Sequence, residues 1–238
     1  MHPILGGRSQ SYTRRIQKMF GPSIIAYWPM DESAGTVAYD KSGNGYNGAY
    51  TGVTLGQAGI GDKRTCPLFD AANDYMQPPA GFRTAFTPTE FTIFGWAIVS
   101  GVGVWTDGVT RFLMRILVDA SNTTGINKNS TNNTLQFIYT AGGTTDQVFL
   151  GSQSSVAWMS LGLTVSVSGD ALKAYLNGVQ VGSTASTLGT WVGTPAAANT
   201  LVGAGSTTPT FVFDGKLAHV GVLNRAATAG EMLAVGVL

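Results

Sequence analysis

Residues 158–183 read WMSLGLTVSVSGDALKAYLNGVQVGS, and their turns decide the fold class. Ser168-Gly169-Asp170 ends one strand, 158–166, and starts the next, 171–176. Asn177-Gly178 then leads into 179–182. Asn-Gly suits a type I′ turn, because both central residues need positive φ. Two successive hairpins make this part of the chain antiparallel. Working outward, strands are expected at 24–31, 66–70, 75–77, 91–99, 112–119, 134–140, 147–150, 200–202 and 211–222. Gly, Asn, Asp and Ser punctuate them at short intervals, as in an all-β sandwich or barrel. Segments 121–133 and 183–199, rich in Thr, Ser, Asn and Ala, are expected as surface loops or edge structure. No internal repeat of fixed period is present.

The chain has 238 residues, a size that sandwiches and barrels reach as one unit. Only 11% of residues are charged, against about 25% in typical soluble domains. With a net charge of +1, little repulsion keeps copies apart, so a homo-oligomer or multi-copy assembly is expected. The single Cys66 excludes a disulfide framework and a multi-cysteine metal site. No apolar run is long enough to span a membrane. The N-terminus lacks the apolar core of a secretory signal.

Residues 1–22 are read apart from 23–238. They carry Arg8, Arg14, Arg15 and Lys18, while the first acid of the chain is Asp31. Residues 11–20 read as a short helix with Tyr12, Ile16, Met19 and Phe20 on one face, stopped by Gly21-Pro22. A helix this short needs a surface to dock on. That surface is either its own domain or a neighbouring protein, gripped through Arg8, Tyr12, Arg14, Arg15, Ile16, Lys18 and Phe20. Four basic residues without clustered aromatics do not argue for nucleic acid. At the other end, Thr228 and Glu231 fit a capping box, with Met232, Leu233 and Val235 as a short apolar helix.

Little supports catalysis. The three glutamates are Glu32, Glu90 and Glu231, and only Glu32 adjoins an aspartate, Asp31. Neighbours on a strand point to opposite faces, so these two cannot flank a glycosidic bond. His219 is expected as a packed histidine in the last strand. No nucleophile elbow, P-loop or HExxH helix occurs. Calcium takes six to eight oxygens. The loop at residues 40–45, DKSGNG, offers Asp40, Ser42 and Asn44, and Asp214 is a candidate fourth ligand. Equally, such a loop serves as a plain turn. Glycan binding calls for exposed aromatics at one rim, and Trp105, Tyr139, Phe149 and Trp191 lie in or beside loop-like sequence.

Six motifs now line up in order: AYWPMDESAGT, DKSGNGYNG, CPLFDAANDYMQPP, FTIFGWAIV, the double hairpin, and FDGKLAHVGVLNRAATAGEM. Over residues 23–236 this resembles the laminin-G-like, concanavalin-A-like jelly rolls of the lectin/glucanase superfamily. The resemblance implies a two-sheet antiparallel jelly-roll sandwich, here with a short N-terminal helical arm and a short C-terminal helix. It implies that the first strand lies beside the last, and that Trp28, Phe69, Trp96, Trp158, Tyr175 and Val220 are core. Many members hold calcium between a DxSGNG loop and acids of the last strand. Here that strand reads Leu217-Ala218-His219-Val220 and the acids are missing, so no cofactor is expected. The acidic ExDxxE strand of the family's hydrolases is also absent. Members bind sugars, bind proteins or serve as structural modules, so the fold leaves function open.

Residues 11–32 further resemble the start of similar domains in tailed-bacteriophage virion proteins. The expectation is a non-enzymatic structural protein of the virion surface, a capsid decoration protein or other exposed particle component, whose basic arm docks on shell or tail proteins. The alternative is a lectin-like, receptor-binding module for cell-surface glycans. Neither nucleic acid nor membrane is expected as a partner.

Overall fold

The computed structural model describes residues 11–238. In chain order the elements are α1 (Tyr12–Phe20), β1 (Ile24–Trp28), β2 (Val37–Ala38), β3 (Gly48–Thr51), β4 (Thr54–Ala58), β5 (Thr65–Asp70) and β6 (Tyr75–Gln77). Next come α2 (Ala80–Ala85), β7 (Glu90–Val99), β8 (Arg111–Asp119), β9 (Asn122–Lys128), β10 (Leu135–Ala141) and β11 (Thr144–Leu150). The chain closes with β12 (Met159–Ser166), β13 (Ala171–Leu176), β14 (Val179–Ala185), β15 (Leu201–Val202), β16 (Asp214–Leu223) and α3 (Ala229–Val235). The first sheet runs β14-β13-β12-β7-β16-β5-β4, with β1 also paired to β16; the second runs β11-β10-β9-β8-β15-β6-β3-β2. Every pairing is antiparallel, and first strand meets last through Ala26↔Val222 and Trp28↔Val220. Asn177 and Gly178 both have positive φ, as their turn requires.

The sheets stack because each strand turns alternate apolar residues inward. On β7 these are Phe91, Ile93, Ala97 and Val99, which meet Met114, Ile126 and Phe137 of the second sheet in one core. The opposite face of the first sheet is apolar as well. Phe94, Trp96, Tyr27 and Tyr175 point away from the sandwich into a second cluster roofed by Tyr12, Ile16 and Phe20 of α1 and Met232 and Val235 of α3. Trp96 and Tyr175 therefore belong to a helix-covered layer, and Trp158 only flanks it. Gly162 lets α3 sit low, since a Cβ there would meet Met232 at 2.1 Å.

Hydrogen bonds lock this roof. Trp96 Nε1 donates to Tyr12 Oη at 2.9 Å, and Tyr12 Oη donates to the Val235 carbonyl at 2.8 Å. Ser11 caps α1, and the Thr228–Glu231 capping box opens α3. Arg225 grips both Glu231 oxygens, at 2.9 and 2.6 Å, and holds that carboxyl down at about 2. Below α1 a bulge interrupts β16 between Ala218↔Trp96 and Gly221↔Phe94. It sets His219 at φ 54°, a left-handed conformation that costs about 1–2 kcal/mol for a side-chain-bearing residue. The imidazole is held in return: Tyr27 Oη lies 2.7 Å from Nδ1, Asp62 Oδ2 lies 3.1 Å from Nε2, and the Tyr12 ring centre is 4.5 Å away.

Three expectations are corrected here. Residues 121–133 contain β9, which pairs with both β8 and β10 inside the second sheet. Its polar residues pass for a loop, but their partners lie elsewhere in the chain: Lys128 Nζ is buried on Asp107 Oδ1 at 2.6 Å, and Thr124 Oγ1 donates to the Ile138 carbonyl. Burial works against the Asp107 charge, but bonds from Lys128, Val109 and Arg111 outweigh it and keep the carboxyl below its usual range. Strands β2 to β4 and helix α2 were not foreseen. Finally, Tyr12, Ile16 and Phe20 are not a gripping surface for a neighbour, because their own domain buries them to 3%, 0% and 2% exposure. Arg15 is likewise engaged, on the Val237 carbonyl and the Tyr12 ring.

Ile16→Ala and Phe20→Ala are each expected to cost about 2–5 kcal/mol in urea unfolding, as core truncations do. Losses under about 0.5 kcal/mol would mean that α1 does not dock. Burial lowers the affinity of His219 for a proton below its ordinary 6.5. The unfolded chain thus binds more protons, and stability drops as pH falls below about 6.5. Urea titrations between pH 7 and 5 should show this slope, flattened in His219→Gln; equal slopes in both proteins would contradict it.

Candidate ligand-binding face

The loop at residues 40–45 is closed on itself. Asp40 Oδ1 accepts from the amides of Tyr27 (3.0 Å) and Ser42 (2.8 Å), and Oδ2 accepts from Ser42 Oγ (2.6 Å) and the Tyr46 amide (2.9 Å). The Asn44 amide group donates to the carbonyls of Ile24 and Ile25, both at 2.9 Å. These contacts clamp β1. Asp214 sits at the far end of β16, on Ser100 Oγ and 3.8 Å from Arg111. Tyr27 pairs with Gly221, seven residues along that strand, which is roughly 20 Å at strand spacing. Asp40, Ser42, Asn44 and Asp214 thus do not converge, and these residues do not fit calcium. Among the described residues no three acidic, His or Cys side chains are placed to share a metal ion.

The aromatic candidates divide. Trp105 is 1% exposed and its indole donates to the Ser155 carbonyl at 2.9 Å. Tyr139 and Trp191, 0% and 8% exposed, stack on each other at 5.9 Å inside the core beside Phe86 and Phe91. These three rings cannot serve as sugar platforms, because the sandwich has already used their faces. Phe149, by contrast, is 50% exposed. Of the basic candidates, Arg14 and Lys18 are exposed, and Arg8 lies outside the described residues.

With the first sheet roofed by helices, the open sheet face is the outer one of the second sheet over β8 to β11; over β15 and β6 it is closed by Ala204 and Val212, which pack on Leu201 and Tyr75. Its composition follows from alternation. Leu135, Phe137 and Tyr139 turn inward on β10, so Gln136 and Ile138 turn outward. Register then lays out two rows: Phe112–Asn127–Gln136–Phe149 and Arg115–Gly125–Ile138–Gln147. Amides join the strands. Asn127 and Asn129 both donate to Gln136 Oε1, at 3.1 and 3.0 Å, and Gln136 Nε2 donates to Gln147 Oε1 at 2.7 Å. The Phe112 ring leans over Gly125, and the Arg115 guanidinium lies 5.3 Å from the centre of that ring.

A hairpin bridged at Ser206↔Thr210 walls this trough on one side. Gly205 accepts a bond from Arg115 Nη1 at 3.1 Å. Phe211, 43% exposed, meets the Phe112 ring edge-on at 6.2 Å. Its φ of 58° is left-handed, a conformation that costs an aromatic residue about 1–2 kcal/mol. Burial pushes the Arg115 pKa down, and no carboxylate occupies the strand positions of the two rows. The surface therefore offers flat apolar rings, amide donors and acceptors, and one guanidinium. Gln136 and Gln147 lie within the strands expected from sequence, alternating with core residues, and that spacing is the signal that could have marked this face.

Residues 70–232 match the family model for the concanavalin A-like lectin/glucanases superfamily. No curated protein matches the chain. Domain 4 of AbnA, an extracellular arabinanase from Geobacillus stearothermophilus solved with arabinotriose, is similar in structure with a TM-score of 0.64 and 13% identity, over 90% of this chain and 98% of that one. A botulinum neurotoxin type C structure, from work on its dependence on two ganglioside molecules, aligns with a TM-score of 0.65 and 14% identity, over 92% of this chain and 52% of that one. Trypanosoma rangeli sialidase aligns with a TM-score of 0.63 and 11% identity, over 89% and 32%. The chain thus spans nearly all of the arabinanase domain, about half of the toxin chain and a third of the sialidase. At these identities the likeness is one of fold. Since the family pattern runs through more than half of its length and the two-sheet architecture carries it, the chain belongs to the concanavalin A-like lectin/glucanases superfamily.

Proposed function

We propose that the protein is a carbohydrate-binding module that holds its glycan in the trough over β8 to β11. The observation that carries this reading is the amide ladder Asn127–Gln136–Gln147, flanked by the half-exposed rings of Phe149 and Phe211. Sugars present apolar C–H faces to aromatic rings and hydroxyls to planar amides, and both needs are met here within one register. The left-handed Phe211 supports the reading, since backbone strain concentrates at ligand clamps. The arabinotriose complex and the ganglioside-dependent toxin lend support from the same fold. A glycan array followed by calorimetry tests it. Phe149→Ala, Phe211→Ala and Gln136→Ala should each weaken binding about tenfold, roughly 1.4 kcal/mol; the two phenylalanine variants should keep their melting temperature, whereas Gln136→Ala also leaves the buried Asn127 amide without its acceptor and should melt lower. Wild-type affinity in all three, or a silent array, would remove the trough as the site.

A second reading makes the protein a component of the virion surface, docked on shell or tail proteins through basic side chains. One observation favours it: Arg14 and Lys18 stay exposed on α1, and Lys41 is brought beside them when Gln17 Nε2 bonds the Lys41 carbonyl at 2.6 Å. Purified particles should contain the protein, and the double change Arg14→Glu with Lys18→Glu should remove it. Normal incorporation of that variant would end this reading.

A further inference from the structure

The outer face of the second sheet holds a second concavity, at the end away from the trough. Strands β15 and β6 separate β8 from β3 and β2, where a cleft of about 500 Å³ opens. That volume lies in the ordinary range for small-molecule sites. Its floor is the outward side of β2, β3 and β6, where Val37 pairs with Ala49 and Ala49 with Gln77. Its walls include Pro78-Pro79, which leads into α2, and Ala197. The walls are held in place: Gln77 Nε2 donates to the Ala197 carbonyl at 2.9 Å, and proline fixes the backbone at Pro78-Pro79.

The polar groups of this cleft have a definite polarity. Arg83 is the charged residue among those that line it. Its Nη1 donates to the Pro78 carbonyl at 3.1 Å, which orients the guanidinium. Among the described residues it makes no ion pair, and its remaining donors are not buried. Asn47 Oδ1 is taken by the Asp40 amide at 2.9 Å, so its Nδ2 remains as a donor. Gln77 spends its Nε2 on Ala197, so its Oε1 remains as an acceptor. The nearby Asp40 carboxylate is turned into its own loop by four bonds and does not neutralise Arg83. A guanidinium fork matches a carboxylate in two parallel bonds. One amide donor and one amide acceptor match sugar hydroxyls, and the proline pair offers a rigid apolar wall.

We propose that this cleft is a second ligand site, distinct from the trough, built for a carboxylate-bearing sugar whose carboxylate pairs with Arg83. A uronic acid and a sialic acid share that chemistry, and the experiment separates them. The full chain is titrated by calorimetry with glucuronate, with N-acetylneuraminate and with neutral glucose as control. One of the two acids should bind, glucose should not, and Arg83→Gln should weaken the acid at least tenfold. Phe149→Ala, which damages only the trough, should leave acid binding intact, so failure of the trough and failure of the cleft are read separately. Should Arg83→Gln fold poorly, Asn47→Asp keeps the test open by setting a like charge against the ligand, and it should weaken the acid at least tenfold too. The proposal is overturned if neither acid binds at millimolar concentration, if glucose binds equally well, if the folded variants at Arg83 or Asn47 bind as wild type, or if Phe149→Ala is what abolishes acid binding.

Discussion

The first sheet is apolar on both faces, and the rest of the molecule is arranged to satisfy that constraint. Phe94, Trp96, Tyr27 and Tyr175 would be wet on the outer side of a bare sandwich. Large aromatic side chains contribute about 1.5–3 kcal/mol each when buried, so a cover of even two short helices is strongly favoured. Neither helix has the length to persist alone, at nine and seven residues. Each is stable because the sheet needs it. The second sheet has no helical cover: Ala204 and Val212 close its outer side only over Leu201 and Tyr75, and the side over β8 to β11 is left without a roof. The asymmetry of the two sheets is thus what leaves one broad face available to a ligand.

The His219 bulge is the joint of this arrangement. Leu217 faces the inner core and Ala218 the helical layer, while Val220 and Val222 return to the inner core. Paired regularly, without the bulge, β16 would set Val220 against the outward-facing Phe94 and turn Val220 and Val222 away from the core. A strained backbone is stabilised by a side chain bound on two nitrogens, so one residue serves register and helix docking together.

Much of this was legible where the physics is local. The Asn177-Gly178 turn, the Thr228–Glu231 cap and the inward residues of β7 follow from neighbouring residues alone. The apolar stripe of Tyr12, Ile16 and Phe20 was equally visible; the surface it seats on was not, because Trp96 and Val235 lie far away in sequence. Strand β9 was hidden for a related reason. Its Lys128 and Thr124 look solvent-exposed until Asp107 and the Ile138 carbonyl are brought to them. The aromatic candidates misled in the opposite direction. Trp105 and Trp191 lie outside the strands, but the backbone there folds their large rings inward, while Phe149, on β11, and Phe211, shortly before β16, stay about half exposed.

The bond from Tyr12 to the Val235 carbonyl brings the first helix and the last together, and just inside them Ile24 pairs with Leu223. Tension applied through these two ends pulls across the β1–β16 ladder rather than along it. The rungs then meet the load one at a time, starting from Ile24, and the helical roof peels before either sheet is sheared. As a mechanical element the domain is a zipper with its tab at the junction of its ends, compliant under traction there and stiff against force directed along its strands.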